Sequence, residues 1–209
     1  MGDFLGLLLA AYLLGSIPTG LIVAWLMGGP DPRQEGSRNI GAANVYRLLG
    51  RNAGVFTLFG DVMKGVLPVF VARFGPVALG AWHGWAIAAV GLAAVLGHIY
   101  PLYLRFKGGK GVATGFGVIV TLCPLAALFL IAVWVALVSY YRLVSLASLA
   151  AAWMMPLAVG LCSGTPSILV LAGMISLLIL FRHRDNIVRL AKGEEVPLDF
   201  SQKAQRREF

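Results

Sequence analysis

Charge is what this sequence has least of. Charged residues make up 12% of its 209 positions, about half the share usual in soluble domains. Acids are scarcer still, 9 against 17 lysines and arginines. A soluble globular chain is excluded. Only two cysteines occur, Cys123 and Cys162, both in apolar segments, which excludes a disulfide framework and a cysteine-based metal site. The strict apolar/polar alternation of a membrane barrel strand is missing. So are the aromatic platforms between basic residues that single-stranded nucleic acids stack on, and with them a nucleic-acid partner. The N-terminal MGDFLGLLLAAYLLGSIPTG has Asp3 where a signal peptide carries positive charge, and no small-residue cleavage site at the right distance. It reads as a retained first helix. What the chain has in quantity is hydrocarbon: 59% apolar residues and a mean hydropathy of +0.83, in runs that reach the roughly 20 residues needed to cross a bilayer as a helix.

The expected fold is an all-α integral membrane protein, one polytopic domain over residues 1–209, with about seven transmembrane helices, some short or broken. Phe4–Met27 is the first span, broken near Pro18, which lacks a backbone donor. A polar segment, Gly28–Asn52, follows, with Arg33, Arg38, Arg47 and Arg51 against Asp31 and Glu35. The positive-inside rule puts it in the cytoplasm and the N-terminus outside. Ala53–Ala72 returns through the membrane, a third span runs from about Trp82 to Leu96, and breaks at Cys123-Pro124, Arg142 and Ser163–Pro166 divide the rest into four. The segment after Phe181 is again arginine-rich, so the C-terminus falls inside. Of the four, Val112–Leu122 is too short for a full crossing and requires protein or a polar cavity around its ends. The tail after Pro197 is polar and is expected to be loosely ordered.

Three polar segments thus share the cytoplasmic face. The most informative is Phe106–Gly117, FKGGKGVATGFG. Gly108, Gly109 and Gly111 let backbone N–H groups approach an anion, a helix start just beyond adds unpaired donors, and Lys107 and Lys110 add charge. Phosphate is the natural guest. The plainer alternative is that Gly111, Gly115 and Gly117 serve helix packing and the lysines are membrane-edge charges. A nucleotide P-loop fails twice, because Leu104 and Gly111 stand where it needs a glycine and a Ser or Thr. In the first segment, Ser37, Asn39 and Asn44 lie among arginines. In the third, His183, Asn186 and Arg189 share a helical face, with Glu194 and Glu195 placed to bind or orient arginines. A belt that merely grips lipid headgroups needs only Lys and Arg; these Ser, Asn and His residues supply directed hydrogen bonds and point to a site. Asp61 and Lys64, three apart inside a span, are either a structural pair or a site-facing one. The rival class is a transporter of an organic phosphate or lipid.

The segments GSRNIGAANVYR, GHIYPLYLRFKGGKG and RHRDNIVRLAKGEE resemble the three cytoplasmic motifs of the bacterial membrane family of acyl-phosphate:glycerol-3-phosphate acyltransferases, and GDVMKG resembles a further element of it. The resemblance covers nearly the whole chain in order. Two positions depart from it: Arg38 replaces a usual glycine and Ala43 a common threonine. The resemblance implies transfer of a fatty acyl group from acyl phosphate to sn-glycerol 3-phosphate at the cytoplasmic face of the bacterial inner membrane, giving lysophosphatidic acid and inorganic phosphate in phospholipid biosynthesis. It implies neither cofactor nor metal, and membrane lipids as surroundings; protein partners are left open. Ser37, Arg47, Lys110, His183 and Asn186 are the expected catalytic residues, with Asn39, Asn44, Lys107, Gly108, Gly109 and Gly111 as further phosphate contacts and Glu195 in support. No histidine is followed four residues later by Asp, the pairing that soluble and peripheral glycerolipid acyltransferases use. A substrate phosphate oxygen, with a pKa near ~6 by analogy with phosphorylated side chains, is therefore favoured as proton acceptor over His183, which Arg182 and Arg184 hold less basic.

Overall fold

The computed structural model describes residues 2–75 and 82–199, and among them it is helical throughout, without strands. The α-helices are α1 (Gly2–Ser16), α2 (Thr19–Leu26), α3 (Ala42–Leu49), α4 (Arg51–Phe74), α5 (His83–Ile99), α6 (Val112–Leu122), α7 (Pro124–Tyr141), α8 (Val144–Ser163), α9 (Pro166–Arg182) and α10 (Arg184–Lys192). Local chemistry sets several of these limits. Pro124 and Pro166 open α7 and α9, where a missing N–H costs nothing. Gly164, in the left-handed region, ends α8.

Helices α4, α5, α7 and α8 are long and apolar enough to span a membrane singly, and the pairs α1–α2 and α9–α10 qualify as bent spans, with angles of 44° and 57°. With α6 they account for the seven apolar elements expected. The first bend falls at Ile17-Pro18, as the proline required. Helix α6 has 11 residues and reaches only about 16 Å. Its C-terminal carbonyls, unpaired within the helix, are met by Arg73, whose Nη1 donates to the carbonyl oxygens of Thr121 at 2.7 Å and Leu122 at 3.2 Å. That is how a helix can end within the protein without orphaned carbonyls.

Two glycine crossings draw the bundle together. A Cβ on Gly65 would fall 2.2 Å from the Thr114 carbonyl oxygen, and one on Gly117 2.2 Å from that of Val62, so α4 and α6 touch backbone to backbone. Gly15 and Gly97 do the same for α1 and α5. In a membrane, where apolar side chains gain little by leaving lipid, such close approach is a main source of helix association. Gly117 thus serves packing, one of the two uses left open by the sequence. Around these crossings Val90, Val95, Val118, Ile119, Leu171 and Ile175 form the core, while Trp25, Tyr140, Trp153 and Leu161 lie outermost. The tail corrects the sequence expectation in part. Leu198 is buried and its N–H donates to the Arg142 carbonyl at 2.7 Å; residues 200–209 lie outside the described residues.

Candidate active site

Polar loops flanking one end of the bundle enclose a cavity of about 360 Å³ that runs down between α4, α6, α7 and α8. Its polar end is lined by Ser37, Asn39, Asn44, Arg47, Lys110, Gly111, His183, Asn186 and Glu195. Its apolar walls are Val55, Leu58, Phe116, Leu130, Ile131, Trp134 and Met155. The three polar segments, up to about 150 residues apart in sequence, therefore meet in one place. Lys107, Gly108 and Gly109, by contrast, do not line it.

The reason is visible in the turn after α5. The N–H groups of Gly108 and Gly109 donate back to the carbonyls of Ile99 and His98, each at 3.1 Å. Their own carbonyls accept from the Arg182 guanidinium at 3.2 and 3.3 Å. Both glycines are thus fully engaged, and the anion donors expected of them shift one step on, to Lys110 and the start of α6. Gly111 caps that helix in the left-handed region, φ 86°, with no side-chain cap, and Val112 and Ala113 line the cavity. A helix N-terminus in that position carries unpaired N–H groups and partial positive charge.

Lys110 is the hub. Its Nζ donates to Asn186 Oδ1 at 2.5 Å, Asn186 Nδ2 donates to Glu195 Oε1 at 2.6 Å, and Arg189 Nε donates to Glu195 Oε2 at 2.8 Å. Burial, with Arg189, Arg47 and Arg182 nearby and only Glu195 opposing, pulls the Lys110 ammonium down to about 8. Burial also works against the charge of Glu195, but Ser145, Asn186 and Arg189 beside it outweigh that and hold the carboxyl below its usual range. Arg47 is lowered by burial too, with Glu195 opposing and Arg189 adding. One of its Nη groups donates to the Val196 carbonyl at 2.9 Å, while its buried Nε has no partner. A guanidinium so placed keeps donors for a bound oxyanion.

His183 is buried, and its Nδ1 lies 2.8 Å from the Ile179 carbonyl oxygen. A carbonyl only accepts, so Nδ1 carries the proton and Nε2 is the nitrogen left for a ligand. Asn44 plays another part than expected. It is buried, its Oδ1 accepts from the Ser37 N–H at 2.8 Å, and its Nδ2 is shared among the carbonyls of Pro32, Glu35 and Asn39 at 2.9 to 3.2 Å. Its amide is spent on shaping the first loop and presenting Ser37. Asn39 accepts from the Gly41 N–H with its Oδ1. Arg38 adopts φ 53°, a conformation natural to glycine, the residue that the family resemblance places there. Ser145, Ser148, Asp61 and His98 also line the cavity. Sequence reading left Asp61 open as a structural or a site-facing charge and did not place the other three there: the serines sit at the mouth of an apolar span, where a hydroxyl is unremarkable, and His98 lies at the end of one.

A family model described as glycerol-3-phosphate acyltransferase matches residues 5–193. The glycerol-3-phosphate acyltransferase of Syntrophotalea carbinolica is 47% identical over 195 residues, covering 93% of this chain and 97% of that one. That of Geobacter metallireducens is 51% identical over 189 residues, covering 90% and 94%. Among solved structures, the glycerol 3-phosphate form of PlsY, an integral membrane glycerol 3-phosphate acyltransferase, superposes with a TM-score of 0.86 at 42% identity, over 94% of this chain and 96% of that one; a lysophosphatidic acid form of it gives 0.84. By sequence and by fold, this chain belongs to the glycerol-3-phosphate acyltransferase family.

Proposed function

We propose that the chain transfers a fatty acyl group from acyl phosphate to a hydroxyl of sn-glycerol 3-phosphate, releasing lysophosphatidic acid and inorganic phosphate, at the cytoplasmic face of the bacterial inner membrane. The observation that carries this reading is the composition of one cavity, cationic at its polar end and apolar along its other walls. Both substrates are phosphates, and one trails an alkyl chain that gains by leaving water. The forms in which the solved relative is known, with glycerol 3-phosphate and with lysophosphatidic acid, are the acceptor and the acyl product of this reaction.

In the proposed step the acceptor hydroxyl oxygen bonds to the acyl carbonyl carbon, the carbon–oxygen bond to phosphate breaks, and the electron pair leaves with phosphate. The hydroxyl proton passes to a phosphate oxygen, so no protein base is consumed. Lys110 and Arg47 hold the phosphates and offset the developing negative charge. Ser37, Asn39 and the N-terminus of α6 orient their oxygens. His183, through Nε2, and Asn186 contact the acceptor, and Glu195 fixes Asn186 and Arg189. The apolar walls from Leu130 to Met155 receive the acyl chain.

The test is phosphate release by the purified, detergent-solubilised protein given acyl phosphate, with and without glycerol 3-phosphate, with lipid analysis in parallel. Acceptor-dependent release with formation of lysophosphatidic acid is expected. Folded protein that uses acyl-CoA and not acyl phosphate would overturn the donor assignment. Protein that releases no phosphate from any donor, yet exchanges organic phosphate across sealed vesicles, would overturn the reaction itself.

A further inference from the structure

The site just described does not use the charged residues buried within the spans. Asp61 and Lys64 on α4 and His98 on α5 are each about 96% buried. Lys64 Nζ donates to Asp61 Oδ1 at 2.8 Å and to the Ile17 carbonyl at 2.9 Å. That carbonyl belongs to the break between α1 and α2, where Pro18 disrupts the helical ladder. Asp61 Oδ1 also faces His98 Nδ1 at 3.6 Å, a nitrogen with no hydrogen-bond partner. The other edge of the His98 ring lies against Gly109: a Cβ there would fall 2.1 Å from Nε2. The His98 carbonyl accepts from the Gly109 N–H. Residue 109 is thus held by His98 twice, by ring and by backbone, while Arg182 holds its carbonyl from the other side.

We propose that His98, set in place by the Asp61–Lys64 pair, is a positioning residue that fixes the Gly108-Gly109 turn and through it the Lys110 ammonium. The groups follow one another as neighbours, the Ile17 carbonyl, Lys64, Asp61, His98, Gly109, Lys110, Asn186 and Glu195, with the Asp61–His98 step a close approach rather than a hydrogen bond. A pair of charges with no task but neutrality needs no third polar group beside it. Burying an imidazole nitrogen at 3.6 Å from the carboxylate, short of a hydrogen bond, is a cost that placement of the turn offsets. Gly109 has no side chain because the ring occupies that space. The inference rests on Lys110 binding a phosphate, as the proposed function holds.

The measurement is the Kd for glycerol 3-phosphate of the full chain in detergent, by calorimetric titration, in wild type, His98→Phe, Lys110→Met and the double variant. Phenylalanine removes the nitrogen that faces Asp61, so the ring against Gly109 is no longer set by the Asp61–Lys64 pair. His98→Phe is expected to weaken binding about tenfold, the loss of roughly one charge-assisted contact, with little change in Tm. In the Lys110→Met background the same change is expected to have no further effect, since His98 acts through Lys110. An equal loss in both backgrounds, or wild-type binding by folded His98→Phe, would overturn the proposal. Should His98→Phe not fold, Asp61→Asn combined with Lys64→Gln removes both charges together. A folded double variant with weakened binding supports the relay, and one with wild-type affinity refutes it. Wild-type protein that does not bind glycerol 3-phosphate would strike at the proposed function instead.

Discussion

Two clusters of charge, one buried and one half-buried, stand in this molecule, and they are built by opposite rules. Around α4 and α5, one carboxylate meets one ammonium at 2.8 Å, and the lysine spends a further donor on a backbone carbonyl. That cluster closes on itself. At the polar end of the cavity, Lys110, Arg47 and Arg189 gather around a single carboxylate, Glu195, and Arg47 keeps a donor with no partner. This cluster is left short of negative charge. Desolvating unbalanced cations is costly, and the cost is worth bearing where a phosphate dianion supplies the missing charge. The difference separates charges neutralised within the protein from charges left short of a counter-charge, although both sit beside the same cavity.

The contrast is broken most forcefully at the closed cluster. Asp61→Asn leaves Lys64 buried without its counter-charge, and removing one partner of such a pair typically costs about 3–5 kcal/mol. The expected outcome is a large loss of Tm in detergent, recovered in part when Lys64→Gln is added. At the open cluster, the same loss of one charge should spare the fold and end the reaction. Lys110→Met is expected to lower acyl transfer by about 10²–10³, the value of one electrostatic contact made to developing charge, with a Tm at or above that of wild type because an uncompensated cation has been removed. A Tm loss in Lys110→Met to match that of Asp61→Asn would erase the distinction.

Asn44 tests the first loop, where a polar residue acts for the fold rather than the ligand. Asn44→Ala leaves the Ser37 N–H and the carbonyls it served without their partner, at about 1–3 kcal/mol. The expected reading is a lower Tm together with a raised KM for glycerol 3-phosphate, since Ser37 is no longer held in place.

Much of this was legible in the sequence because hydropathy and charge bias are chain-wide signals. The seven apolar elements, the bend at Pro18 and the shortness of Val112–Leu122 follow from composition and from a proline, without tertiary information. So does the gathering of Ser37, Arg47, Lys110, His183 and Asn186, since polar groups in a membrane chain have few places to go. Gly108 and Gly109 show where such reading stops. A glycine pair beside lysines reads as an anion cradle, but whether its N–H groups face a ligand or return to His98 and Ile99 is decided by a turn that sequence spacing does not reveal. Asn44 is the same case for a side chain: the amide is equally able to bind substrate or loop carbonyls. The docking of Leu198 against Arg142 carries no local signal at all.

The open cluster is also expected to respond to pH. The Lys110 ammonium is held down to about 8, so raising the pH through that value removes the charge that phosphate seeks. In kcat/KM, which reports the free enzyme, the expected decline approaches tenfold per pH unit above about 8, the change in the charged fraction of one group. Once phosphate is bound it favours the charged form of Lys110, so the decline in kcat is expected at higher pH. Lys110→Arg, whose charge does not titrate in this range, should flatten the kcat/KM profile whatever its absolute rate.

The smallest effect is expected at Arg38, which sharpens the comparison by showing a cation that belongs to neither cluster. It is exposed and does not line the cavity. Its backbone at φ 53° places Cβ against the following carbonyl, a conformation that costs an L-residue about 1 kcal/mol and a glycine almost nothing. Glycine also has more freedom to lose on folding, which takes back part of that gain. Arg38→Gly is therefore expected to raise stability by at most about 1 kcal/mol and to leave the Kd for glycerol 3-phosphate within twofold of wild type. A tenfold loss of affinity would show that the Arg38 guanidinium reaches the bound phosphate, and that the open cluster extends one residue beyond Ser37 to a side chain outside the cavity wall.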